Sequence, residues 1–169
     1  MPDMSIKLEP IAFEDLYPFV SLAFEGDIDL LRGYHISPGS LEHCVGNTMF
    51  VIEKNYEHFG PNIEFYAVTV DGIAVGFTVV IRSSESSYDE LLSFGINIRH
   101  RKPNVVIGWL EEVKKKMGGG FYIVLWSKNT RAIDFFRRNG LIVDNSLLNP
   151  KDETKTLIIC LQEELHQAV

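Results

Sequence analysis

Residues 97–138, NIRHRKPNVVIGWLEEVKKKMGGGFYIVLWSKNTRAIDFFRR, decide how this chain is read. Ten of them are Lys or Arg (Arg99, Arg101, Lys102, Lys114, Lys115, Lys116, Lys128, Arg131, Arg137, Arg138) and three are acidic (Glu111, Glu112, Asp134), a local balance of +7 in a protein of net charge −7. The other residues therefore hold six basic and twenty acidic side chains, and a polyanion would find one favourable region on an otherwise repulsive surface. Within the stretch, a strand ending in FGINIRH leads into the basic turn RHRKPNVV. Val106, Trp109, Leu110, Val113 and Met117 then recur at helical spacing. Strand, short basic loop and helix make an anion site: the first N–H groups of a helix lack intrahelical acceptors, and its dipole adds partial positive charge there.

On the C-terminal side, Gly118-Gly119-Gly120 closes this helix and FYIVLW predicts a strand. Asn129 then stands where it would cap a second helix. Lys155 to Leu161 alternates as a last strand, preceded by a turn at Lys151-Asp152-Glu153. On the N-terminal side, FYAVTV, the pair Asp71-Gly72 and IAVGFTVVI predict a β-hairpin, since Asp-Gly accepts the positive φ of a two-residue turn. A polar loop from Ser83 to Ser87 leads to a third antiparallel strand from Leu91 to Ile98. Ser40 would cap a long helix whose apolar stripe runs from Leu41 to Phe59, ended by Gly60-Pro61. Ser5 to Ile11 reads as a first strand, followed by a helical face of Phe13, Leu16, Tyr17, Val20 and Phe24, in which Pro18 marks either a kink or a first turn. Between these helices, Ile28, Leu30 and Leu31 suggest a short helix and Ser37-Pro38-Gly39 a turn.

The 169 residues suit a single domain, 1–169, with a substantial core, and 46% hydrophobic with 23% charged residues is an ordinary globular composition. No run of eighteen apolar residues occurs and the start MPDMSIKLEP is polar, giving the expectation of a cytoplasmic protein that does not enter a membrane. Cys44 and Cys160 read as buried free thiols. The five histidines show no metal-ligand spacing, so no metal is expected. Pattern alone reaches α/β or α+β and no strand order.

Arg101 with its short loop and helix, followed by Asn129, Ala132, Ile133, Phe135, Phe136 and Gly140, resembles the GNAT superfamily of N-acetyltransferases over roughly residues 64 to 161. The resemblance implies a mixed, mostly antiparallel sheet of about six or seven strands with helices on both faces, and it implies acetyl-coenzyme A as co-substrate. The first segment (Arg101, Lys102, Asn104, Val105, Val106) would bind the pyrophosphate; the family pattern R/Q-x-x-G-x-G/A, often with a further glycine directly after the Arg, has glycines where Lys102, Asn104 and Val106 stand here. Backbone amides of Ile96 and Ile98 would meet the pantetheine arm between two splayed strands. Asn129 would lie beside that arm, and Arg131 would reach toward the 3′-phosphate. Phe136 occupies the position where relatives commonly carry a Tyr that protonates the leaving thiolate. Glu90, six residues before Ile96, matches the offset of a family general base, with Glu64 a weaker candidate and a solvated carboxylate the plain alternative.

The resemblance implies acetyl transfer to a primary amine by direct attack in a ternary complex. The acceptor would be a small polyamine-like molecule, a drug or a peptide N-terminus, in a cleft expected to be acidic from the surplus negative charge elsewhere. The alternative is a non-catalytic module of the same fold that binds an acyl-coenzyme A or a protein. Homodimerisation is left open, and nucleic acid is disfavoured by the net negative charge and the lack of aromatic interleaving.

Overall fold

The computed structural model describes residues 4–27, 40–83, 88–118, 120–145 and 154–161. The chain runs β1 (Ile6–Ile11), α1 (Tyr17–Phe24), α2 (Leu41–Phe59), β2 (Ile63–Val70), β3 (Ile73–Ile81), β4 (Asp89–Ile96), α3 (Pro103–Met117), β5 (Phe121–Trp126), α4 (Thr130–Arg138), β6 (Ile142–Val143) and β7 (Lys155–Cys160). Short 3-10 turns stand at Phe13–Asp15, Gly60–Asn62 and Ile98–His100. The seven strands form one sheet in the order β1-β2-β3-β4-β5-β7-β6. Every neighbouring pair is antiparallel except β4 and β5.

Local chemistry sets the element boundaries. Asp71 and Gly72 take φ of 51° and 82° and turn β2 back onto β3, the geometry for which Asp-Gly is suited. Ser40 Oγ accepts the His43 N–H at 3.2 Å and starts α2. Gly118, at φ 67°, ends α3 with its N–H on Lys114 O. Pro18 lies in the first turn of α1, where its missing donor costs nothing, and Phe13 belongs to the preceding 3-10 turn.

The sheet separates two cores. On one face, Trp109, Leu110 and Val113 of α3 and Phe136 of α4 pack on Phe121, Ile123 and Ile158. On the other, Leu16, Val20, Val45 and Ile52 cover Phe65, Phe77 and Val79. Each such side chain contributes about 1.5–3 kcal/mol on full burial, so both helical layers are firmly seated on the sheet.

The third strand is shifted from its expected position. It begins at Asp89 and ends at Ile96, and a register change against β3 lets Leu92 bulge between the rungs Val79–Ser93 and Val80–Leu91. Asn97 stops it: its N–H bonds Val75 O at 2.7 Å, and its side-chain oxygen accepts from Arg99 N at 3.0 Å, which folds the chain into the 3-10 turn. Ile98 is thereby 39% exposed on that turn, off the strand on which the sequence placed it. The expected helix near Ile28, the turn at Ser37-Pro38-Gly39, residues 84–87 of the polar loop and the turn at Lys151-Asp152-Glu153 lie outside the described residues.

Candidate active site

β4 and β5 share only two rungs, Asp89–Phe121 and Glu90–Tyr122, before they diverge. A parallel pair that parts in this way leaves the remaining backbone groups of both inner edges turned toward a gap. The gap opens into a cleft of about 990 Å³, walled by β4 from Leu92 to Ile96, by β5 from Val124 to Trp126, and by the first turns of α3 and α4. Asn47, Val51 and Asn55 of α2 close it from the opposite layer. Its size is at the upper end of the roughly 300–1,000 Å³ usual for ligand pockets, enough for an extended arm and a second small molecule.

Glu90 lines this cleft at the last rung before β4 and β5 part. The Tyr122 hydroxyl donates to its Oε1 at 3.1 Å. Burial pushes the Glu90 carboxyl above its ordinary range, and the Tyr122 hydrogen bond offsets part of that rise. Tyr122 is itself pushed up to about 12, by burial first and then by the Glu90 charge and hydrogen bond, so its hydroxyl stays a donor. Glu64 is differently placed: it accepts from the Tyr66 hydroxyl and from Arg82 Nε at 3.0 Å. Arg82 also reaches Asp89 at 3.1 Å and Lys116 O at 2.7 Å, which locks Glu64 into a charged girdle at the C-terminal end of α3.

The basic turn is more internally bonded than its sequence suggests. Arg101 donates from Nε to Ile96 O at 2.8 Å and from its terminal nitrogen to Asp27 Oδ2 at 2.6 Å. Lys102 O accepts both Val105 N–H and Val106 N–H at 3.0 Å. Pro103 has no donor, so the amide of Asn104 is the one in this first turn without a backbone acceptor among the described residues. None of these residues has positive φ, which is why the turn forms without the family's glycines.

Glu90, Ile96, Arg101, Val106, Asn129, Arg131 and Phe136 border one cleft. Ile98, Lys102, Asn104 and Val105 do not line it; Val105 turns its side chain into the core of α3, while Lys102 and Asn104 are exposed on the turn. Asn129 caps α4 by accepting Ala132 N–H at 3.3 Å. Phe136 is fully buried, edge-on to Phe94 and Phe135 and tilted against Trp109, whose indole N–H is held by Thr78 Oγ1 at 2.9 Å.

The expected acidic cleft is not what the described residues form. Its lining acids are Asp27 and Glu90, against Arg101, Arg131, Arg138 and Lys155. The basic segment builds two of the walls, so the surplus negative charge lies elsewhere. Sequence reasoning also missed Tyr122 and Asp27. Nothing marks a tyrosine in an apolar strand as the partner of Glu90 until the parallel register is known, and Asp27 follows Gly26 with no motif around it. No group of three or more His, Cys, Asp or Glu among the described residues could hold a metal ion. No described helix is long and apolar enough to cross a membrane.

No protein-family profile matches the sequence, and no curated protein matches it. Solved structures do match over nearly the whole chain. An acetyltransferase from Thermus thermophilus is 16% identical, with 93% of this chain and 97% of that chain covered at a TM-score of 0.68. A probable acetyltransferase of the GNAT family from Chromobacterium violaceum is 13% identical, with 96% and 85% covered at 0.68. Spermidine N-acetyltransferase from Vibrio cholerae, in complex with CoA and spermine, is 11% identical, with 94% and 96% covered at 0.63. Relatives this distant share architecture before anything else, and by its strand order, its parted β4–β5 pair and these matches the chain has the GNAT acetyltransferase fold.

Proposed function

We propose that the protein is an N-acetyltransferase that takes its acetyl group from acetyl-coenzyme A and passes it to a primary amine. The observation that carries this reading is the pair Glu90–Tyr122 at the point where β4 and β5 part, a half-buried carboxylate lining a cleft large enough for both substrates. Acetyl-coenzyme A supplies a thioester as acyl donor. The chain's own groups fit it: the open edges of β4 and β5 offer amides and carbonyls to an extended amide-bearing arm, and the Asn104 amide with the exposed part of Arg101 offers donors to a pyrophosphate.

Glu90 takes a proton from the attacking nitrogen, directly or through one water, as the N–C bond forms and the C–S bond breaks. Burial raises the basicity of Glu90 above that of an ordinary carboxylate, which suits this task. Amides on the parted edge of β4 face the carbonyl oxygen as negative charge builds there. Phe136 has no hydroxyl to offer the departing sulfur, which leaves as thiolate; an alkyl thiol has a pKa near 8.5, so this slows turnover and does not forbid it. Glu90 is the one acid of the described lining not paired with a cation, while Arg138 and Lys155 add positive charge. That balance favours an acceptor with a single amine over a polyamine.

Calorimetric titration with acetyl-coenzyme A, followed by thiol release over a panel of primary amines, tests the reading. Binding and slow, amine-dependent release are expected. A protein that binds the thioester but transfers to no amine would instead be the acyl-coenzyme A-binding module that the fully buried Phe136 also allows.

A further inference from the structure

The turn between β4 and α3 is fastened to the end of α1. Asn97 donates from its side chain to Leu22 O at 2.7 Å and to Glu25 O at 3.4 Å, and Arg101 binds Asp27 at 2.6 Å. Both Asn97 and Asp27 are buried, each 4% exposed. A carboxylate taken this far out of water persists only with a charged partner, so Asp27 needs Arg101 as much as it holds it.

From this geometry we infer that Asp27 is a positioning residue for the cofactor, acting through Arg101; the inference rests on the function proposed above. A guanidinium has five N–H donors in a plane. Ile96 O and Asp27 take one from Nε and one from a terminal nitrogen, which fixes that plane, and the rest of the group borders the cleft. An arginine already held in its binding rotamer loses little further freedom when a phosphate arrives, and two anions can share one fork where the first occupies a single edge. Asp27 therefore assists phosphate binding and does not compete with it. It also joins the cofactor turn to the C-terminal end of α1.

The test is coenzyme A affinity, by calorimetry, in the wild type, Asp27→Asn, Arg101→Ala and the double variant. Asp27→Asn is expected to weaken coenzyme A about tenfold, and the double variant to bind no more weakly than Arg101→Ala, since both changes disable one group. The ratio of kcat/KM for acetyl-coenzyme A over S-acetylpantetheine, a donor without phosphates, is expected to fall about tenfold in Asp27→Asn. Losses that add in the double variant, equal losses on both donors, or tighter coenzyme A binding by Asp27→Asn would each overturn the inference and leave the proposed function intact. A wild type that binds no coenzyme A would overturn both. Asp27→Glu keeps the charge and carries the test if the asparagine variant does not fold: a smaller loss of affinity with the same donor dependence is expected, and a donor-independent loss would overturn the idea.

Discussion

Glu64 and Glu90 each stand near the start of a strand and each accept a tyrosine hydroxyl, yet the regions around them have opposite characters. Around Glu64, where β2, β3 and β4 are paired along most of their length, Arg82 gathers Glu64, Asp89 and the last turn of α3 into one network. Around Glu90, β4 and β5 are parting, and Tyr122 is the partner the described residues supply. A closed sheet consumes its charges in pairs. Where two strands separate, a carboxylate can be half-buried without a cation, and its affinity for protons rises.

The largest effect that would break this contrast is on turnover. Glu90→Gln should lower kcat by roughly 10²–10⁴ with coenzyme A affinity nearly intact. Glu64→Gln should leave kcat in place and instead cost about 0.5–1 kcal/mol of stability, the range for a partly exposed ion pair; equal losses of kcat in the two variants would erase the distinction. Next comes Phe136→Tyr, read by thiol release. Because the Phe136 ring is fully covered by Phe94, Trp109 and Phe135, its added hydroxyl meets side chains first, and the gain should stay below the ~10² of a well-placed general acid. A full hundredfold gain would mean the ring turns toward the leaving sulfur.

Smaller effects follow from Tyr122. Since its hydroxyl holds the Glu90 carboxyl down against burial, Tyr122→Phe should move the acidic limb of the kcat/KM profile to higher pH, with little loss at alkaline pH where Glu90 is ionised. A limb that stays still would detach Tyr122 from the base. The smallest effect is on stability. A carboxyl whose folded pKa is raised contributes stability that is complete below its unfolded pKa and is lost as pH rises through the folded one. Glu90→Gln should therefore equal or exceed the wild type in thermal unfolding at pH 8, with the difference shrinking toward pH 4. Lower stability of the variant at pH 8 would contradict a carboxyl raised by burial.

The element order was legible because its punctuation is local: Asp71-Gly72, Ser40, Gly118 and Asn129 each act within a few residues of where they stand. Ile98 was misplaced because Asn97 can either continue a ladder or fold its side chain onto Arg99 N–H, and only the contact with Val75 on β3 fixes where the strand ends. Seven of the residues singled out in the sequence border the cleft and Ile98, Lys102, Asn104 and Val105 do not, and its charge was not legible at all. Charge counted along a chain does not say which walls the basic segment will build. The partners Tyr122 and Asp27 stand 32 and 74 residues from Glu90 and Arg101, beyond the reach of any periodicity.

Titrating acetyl-coenzyme A into the wild type and into Arg101→Ala bears on the cleft's assignment without assuming any acceptor. Binding at one site per chain is expected, weaker by about 1.5–3 kcal/mol in the variant, as for a hydrogen bond to a charged group. No heat of binding in the wild type, or the same affinity in both proteins, would contradict the assignment of this cleft to the cofactor.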